Sequence, residues 1–229
     1  MDRRKRIAFY GGTFDPVNLG HLAVATKVVQ LFEIDELSFV PAQVAPHKLL
    51  RDVTPAFHRY AMLALATQDH ERLLVSTFEL EAPERCYTVD TLAHFKAELA
   101  DTAEIFFIMG ADSWSEITSW HNWEQLLTIT NHIVVARPGY DLDMKRASPS
   151  LAARIVDLRG SGQAHASEVV NSNEGERIFV TDAVMIDISA TDIRSAAREE
   201  RDEQLRKLVP APVADYITKY GLYQDKNER

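Results

Sequence analysis

The strongest constraint on the fold is the alternation of short, continuous apolar runs with stretches of helical period. Residues 7–10, 37–40, 73–77, 105–109, 133–136 and 184–188 read as strands. Residues 20–32, 55–68, 88–99, 123–127 and 151–158 read as helices. In the first of these, Leu22, Ala25, Val28, Val29 and Phe32 fall on one face. Two further helices, over 192–201 and 213–220, follow the last strand, and Gly221 closes the second. Unbroken apolar strands separated by helices point to a parallel sheet covered on both faces. The expected fold is therefore α/β: a single doubly wound parallel sheet with helices on both faces and a small C-terminal helical part from about residue 189 to 229.

The chain of 229 residues suits one such domain, spanning 1–229. A net charge of −9 argues against a nucleic-acid polymer as partner, because that binding needs a basic face. A locally positive pocket for a small anion remains compatible with it. Cys86 is the single cysteine, so no disulfide forms within the chain, which suits a reducing cytoplasm. The basic start Met1-Asp2-Arg3-Arg4-Lys5-Arg6 leads into an apolar run of four residues, too short for a signal peptide or a membrane span. Residues 160–175 are polar and rich in Gly, Ser and Asn, and read as a mobile surface loop rather than a linker.

In a doubly wound sheet, ligands bind beyond the carboxyl ends of the strands. Four segments there carry chemistry. Gly11-Gly12-Thr13-Phe14-Asp15-Pro16-Val17-Asn18-Leu19-Gly20-His21 joins a strand to a helix whose free amides and dipole favour an anion. Ile188-Ser189-Ala190-Thr191-Asp192-Ile193-Arg194 opens another helix with hydroxyls and an arginine. Lys48 lies in a proline-bounded loop and can offer a point charge. Gly110-Ala111-Asp112 precedes Trp114, Trp120, His121 and Trp123; Asp112 can accept from ribose hydroxyls, and a tryptophan beyond a strand end can stack on a ring. Each segment alone has a plainer reading: a strand–turn–helix corner, an N-cap with a surface arginine, a solvated lysine, core tryptophans.

Together they resemble one family. The first segment is similar to the N-terminal signature of the nucleotidyltransferase superfamily with the His-x-Gly-His motif, and the second to its C-terminal signature. Tyr87-Thr88-Val89-Asp90-Thr91-Leu92, Gly110-Ala111-Asp112 with Trp120, Arg137-Pro138-Gly139, and the tail from Val209-Pro210 to Gly221-Leu222-Tyr223 narrow the resemblance to the bacterial nicotinate-nucleotide adenylyltransferases.

The resemblance implies a Rossmann-like nucleotidyltransferase domain. Its reaction joins ATP and nicotinate mononucleotide to give nicotinate adenine dinucleotide and pyrophosphate, a late step in NAD biosynthesis. Mg2+ accompanies the triphosphate, and no covalent intermediate forms. It also implies a cytoplasmic enzyme without a membrane partner, monomeric or a homodimer. By the same resemblance Gly11, Gly12, Thr13, Phe14, Gly20, His21, Lys48, Ser189, Thr191 and Arg194 bind ATP. Thr88, Gly110, Asp112, Trp120, His121 and Arg137 receive the nicotinate and its ribose. The catalytic set is His21, Asn18, Lys48 and Arg194. The chain departs from the motif at Asn18, where the family has histidine; this predicts slowed catalysis with the binding site retained. The alternatives are another adenylyl- or cytidylyltransferase of the superfamily, and a regulatory nucleotide-binding protein with weakened catalysis.

Overall fold

The computed structural model describes residues 3–43, 53–83, 86–99, 102–136, 149–160, 175–184 and 188–224. Its centre is a seven-stranded sheet in the order β3-β2-β1-β4-β5-β7-β6, with every pairing parallel. The strands are β1 (Lys5–Gly12), β2 (Glu36–Pro41), β3 (Leu73–Val75), β4 (Ala103–Gly110), β5 (Asn131–Val135), β6 (Ile155–Asp157) and β7 (Ile178–Thr181).

Alternation along the strands divides the core into two layers. On one face Ala8, Tyr10, Phe106, Ile108, Ile133 and Phe179 pack under α1 (Leu19–Leu31), α2 (Ala56–Thr67) and the C-terminal helices. On the other face Ile7, Phe9, Ile105, Phe107, Val134 and Val180 pack under α4 (Thr88–Leu99) and α6 (Trp123–Ile129). Each fully buried Phe, Ile or Leu contributes about 1.5–3 kcal/mol by leaving water. Two layers of this kind explain why the central strands are apolar throughout: neither face meets solvent.

Short elements fill the connections. They are α3 (Phe78–Glu81), α5 (Ala111–Ser115), a 3-10 turn (Ile117–Ser119) and α7 (Pro149–Ala152). Three helices end the fold: α8 (Ala190–Arg198), α9 (Asp202–Leu208) and α10 (Ala211–Tyr220). No helix among the described residues is long and apolar enough to cross a membrane.

The structure corrects one expectation and adds one strand. Residues 151–158, read as a helix, give the end of α7 and then β6, an edge strand pairing with β7 alone. A short apolar run carries too little period to separate the two readings. The sequence reading missed a strand at Ile178–Thr181, which is buried at all four positions and bonded on both edges. Of the run expected as a strand at 184–188, Val184 and Ile188 pack as half-buried side chains on the core, and 185–187 lie outside the described residues. Of the expected loop at 160–175, only Gly160 and Gly175 are described, both with left-handed backbone.

Candidate active site

A cleft of about 780 Å³ opens at the carboxyl ends of β1, β4 and β5. In the strand order the chain leaves β1 toward β2 and returns on the other side of β1 at β4. The crossovers therefore diverge above these two strands and leave a crevice that no helix fills.

Gly11 and Gly12 are still in β1, pairing with Val40 and Pro41, so the turn proper is Thr13–Pro16. A Cβ on Gly12 would stand 2.8 Å from the Phe14 ring, which lies against the strand end. Phe14 holds a left-handed backbone (φ 50°), and its buried ring packs against Tyr10, Phe39 and His21. That aromatic packing holds a conformation costing roughly 1–3 kcal/mol in a non-glycine residue. Phe14 thus shapes the turn after β1.

The helix after the turn starts with a reciprocal cap. Asn18 Oδ1 accepts from the His21 amide (3.0 Å), and the Asn18 amide donates to His21 Nδ1 (3.1 Å). The first amides of a helix have no partner within it. With that of His21 taken by the cap, those of Leu19 and Gly20 have no partner within α1 and lie at the positive end of its dipole, where Gly20 lines the cleft. Because Nδ1 accepts, the neutral His21 ring carries its proton on Nε2. Asn18 is buried, yet it lines the cleft. Across the cleft Ser189 caps α8 by accepting from the Thr191 amide (3.2 Å), so a second helix start opens on the same space.

The other end of the cleft is formed by α4, α5 and the 3-10 turn. Thr88 opens α4, and Trp120 follows the turn in extended conformation. His121 stacks on Tyr87 with ring centroids 4.2 Å apart. Asp112 sits in the first turn of α5, and a Cβ on Gly110 would lie 2.4 Å from its Oδ1. Any side chain at Gly110 would displace that carboxylate. Of the three tryptophans Trp114 is core, as helical spacing suggests, whereas Trp120 lines the cleft. Gly11, Gly12, Thr13, Phe14, Asn18, Gly20, His21, Ser189, Thr88, Gly110, Asp112, Trp120 and His121 thus share one cavity. Lys48 and Arg137 lie outside the described residues.

Thr191 and Arg194 stand behind the lining, which ends at Ala190 on this side. Arg194 Nη1 donates to the Asp15 carbonyl (2.9 Å) and Nη2 to Thr191 Oγ1 (3.3 Å). A second guanidinium was not expected from the sequence. Arg59, 1% exposed, donates to the carbonyls of Thr13 (2.6 Å), Ala42 (2.6 Å), Gln43 (3.3 Å) and Thr54 (2.9 Å). The signal for it was an arginine on the apolar stripe of α2, in line with Met62, Leu63 and Ala66. Burial lowers the Arg59 pKa from its ordinary value, and the Asp15 carboxylate opposes that shift.

Among the described residues the lining holds Asp15, Glu79, Asp112 and Glu116, and no lysine or arginine. Positive potential near this end of the cleft therefore comes from two helix starts and from Arg59 and Arg194 behind the turn. Glu79 accepts from the Thr91 hydroxyl (2.8 Å), and burial pushes its carboxyl up to about 7. Burial and the carboxylates of Glu79 and Asp90 push the Cys86 thiol up, which leaves it a poor nucleophile. No group of three His, Cys, Asp or Glu side chains among the described residues is arranged to hold a metal ion.

A cleft at a switch point, flanked by two capped helix starts, defines a nucleotide-binding α/β protein, and comparison with known proteins makes this specific. Residues 9–196 match the family model described as Cytidylyltransferase-like. The probable nicotinate-nucleotide adenylyltransferase of Mycolicibacterium vanbaalenii is 36% identical over 226 residues, covering 99% of this chain and 95% of that protein. The protein of the same name from Pectobacterium atrosepticum is 35% identical, covering 95% and 98%. The fold is shared with Plasmodium falciparum nicotinic acid mononucleotide adenylyltransferase complexed with NaAD, at a TM-score of 0.69 and 23% identity, over 96% of this chain and 97% of that one. The chain belongs to the cytidylyltransferase-like family, among the nicotinate-nucleotide adenylyltransferases.

Proposed function

We propose that this protein transfers the adenylyl group of ATP to nicotinate mononucleotide, giving nicotinate adenine dinucleotide and pyrophosphate, with residues 1–229 acting as one domain. The observation that carries this is the two-ended cleft: two helix starts at one end, Thr88, Asp112 and Trp120 at the other. The naming of the relatives supports the choice of acceptor.

In this reading the amides of α1, the Thr13 turn and His21 Nε2 hold the triphosphate. Ser189 and the α8 start take its β and γ groups, with Thr191 and Arg194 adding charge from behind the turn. Lys48, outside the described residues, would offer a point charge to the phosphates. Thr88 and Arg137 hold the acceptor, Trp120 stacks on the pyridine ring, His121 extends the aromatic wall, and Asp112 accepts from a ribose. The phosphate-end donors are amides, hydroxyls and an imidazole, which suit an anion rather than a bare cation. Mg2+ bound with ATP would supply charge screening for the triphosphate, while the protein supplies position and fixed dipoles for in-line attack.

Pyrophosphate release tests the reading. It is expected with ATP and nicotinate mononucleotide, and not when phosphopantetheine is the acceptor. Release with phosphopantetheine, or tight ATP binding without release, would overturn it.

Trp120→Ala is expected to weaken acceptor binding by about five- to 150-fold, the 1–3 kcal/mol of a base–aromatic stack. ATP affinity should stay within about twofold if the stack serves the acceptor alone. Calorimetric titration of each ligand measures both; equal losses would make Trp120 a packing residue.

Asn18→His is expected to raise turnover by roughly five- to 30-fold. A cationic donor is about twice as strong as a neutral one at an oxygen gaining charge. Asn18 also caps α1, so the same change should cost about 1 kcal/mol of stability. Rate and stability then move in opposite directions. Steady-state kinetics paired with thermal melts read both, and unchanged turnover would sink the role at the transferred phosphate.

A further inference from the structure

The phosphate turn does not hold itself. Arg59 takes the Thr13 carbonyl and Arg194 the Asp15 carbonyl, both from other helices. The Asp15 side chain is 4% exposed, yet it lines the cleft. Its Oδ2 accepts from the Thr54 amide (3.2 Å) and its Oδ1 from the Tyr223 hydroxyl (2.8 Å), 208 residues away in the chain.

Tyr223 reaches this place by a particular C-terminal geometry. Gly221 closes α10 with left-handed backbone (φ 58°), and the Leu222 amide returns to the Ile217 carbonyl (3.0 Å). Tyr223 is itself left-handed (φ 69°), a conformation a bulky residue keeps only where its surroundings impose it. Leu222 and Tyr223 pack on the core beneath α1 and α2. Burial and the Asp15 carboxylate push the phenol above its ordinary range, so it stays a donor.

A carboxylate beside a triphosphate is a liability. Free to rotate, Asp15 would place negative charge against the phosphates, and the turn carrying it would move. With both oxygens held, it does neither.

We propose that Tyr223 is a positioning residue for adenylyl transfer: its hydroxyl fixes the Asp15 carboxylate, and through it the turn Thr13–Pro16 that faces the transferred phosphate. This rests on the activity proposed above.

The test is Tyr223→Phe, which keeps the ring and removes one donor. Turnover is expected to fall about tenfold, as a small misplacement of catalytic groups does. KM for nicotinate mononucleotide should stay within about twofold, since its end of the cleft is untouched. In an Asp15→Ala background the same substitution should change turnover by less than about threefold, because the acceptor that the hydroxyl holds is gone. Amide hydrogen exchange at residues 13–15, measured without substrate, should be faster in Tyr223→Phe. A merely structural tyrosine would lower the melting temperature and leave turnover unchanged; that result overturns the proposal, as does equal loss in both backgrounds. If the parent protein were inactive with nicotinate mononucleotide, exchange would decide alone. Faster exchange would uphold the latch and reject only the acceptor, and unchanged exchange would reject the latch.

Discussion

Arg59→Met is expected to destabilise the protein by about 3–5 kcal/mol, because removing a buried guanidinium leaves several carbonyls without their donor. Four carbonyls lose their donor at once, and the buried Asp15 carboxylate loses its nearby cation. At 2–4 °C per kcal/mol for a chain of this size, the melting temperature should drop by roughly 6–20 °C. Turnover, measured where the variant is still folded, should fall by about 100-fold, because the Thr13 turn and the residues after β2 are held by the same guanidinium. Arg59→Lys should recover only part of either loss; a single ammonium cannot span carbonyls fixed to a planar fork. Thermal melts and steady-state kinetics on both variants check this. A methionine variant melting within about 2 °C of the parent, with turnover within threefold, would show that the carbonyls find other partners.

Stability should fall steeply as pH drops below 6.5, with His132 as a main cause. This histidine, in β5, is 0% exposed; its Nδ1–H donates to the Thr130 carbonyl (2.9 Å) and its Nε2 has no hydrogen-bond partner. Burial pushes its pKa down to about 3, and Arg154 adds to the shift. In the unfolded chain the ring takes a proton near 6.5. The unfolded state therefore binds the proton first as pH falls. The contribution is fully present above 6.5 and is lost progressively toward 3. The loss is about 2 kcal/mol by pH 5 and about 3 kcal/mol by pH 4. His132→Asn keeps a donor for Thr130 and removes the titration. Its stability, measured by urea unfolding between pH 7 and pH 4, should have a shallower slope by that amount. Parallel slopes would mean that the ring takes its proton in the fold as readily as in the unfolded chain.

The parallel sheet and the place of the cleft were legible because they rest on local patterns. Apolar runs such as 105–109 and 133–136 have only one comfortable setting, a strand covered on both faces, and α4 falls at 88–99 as its spacing predicts. The edge of the sheet was not legible. Ile155-Val156-Asp157 is too short to show a period, and the strand at 178–181 follows directly on a polar stretch that gives it no helix to mark its start. Pairing with β5 and β6 makes it part of the sheet.

The site divides in the same way. The first signature segment and Gly110 could be placed beyond strand ends from the sequence, and residues of both signatures and of the Gly110-to-His121 stretch share one cavity. Asn18 was legible as a departure from a motif. Its second role as helix cap follows from its bonds with His21.

By itself the sequence determined the alternation of strands and helices, the turn and caps that face an anion, and the membership of a family. These depend on the order of residues within a few turns of chain, where geometry is local. Tertiary structure alone decided what holds the turn. Arg59, Arg194 and Tyr223 are separated from Thr13 and Asp15 by 46, 179 and 208 residues. No spacing rule connects such positions. A buried guanidinium or phenol finds its partners only once packing has removed water and left the turn's polar groups with nothing else to bond.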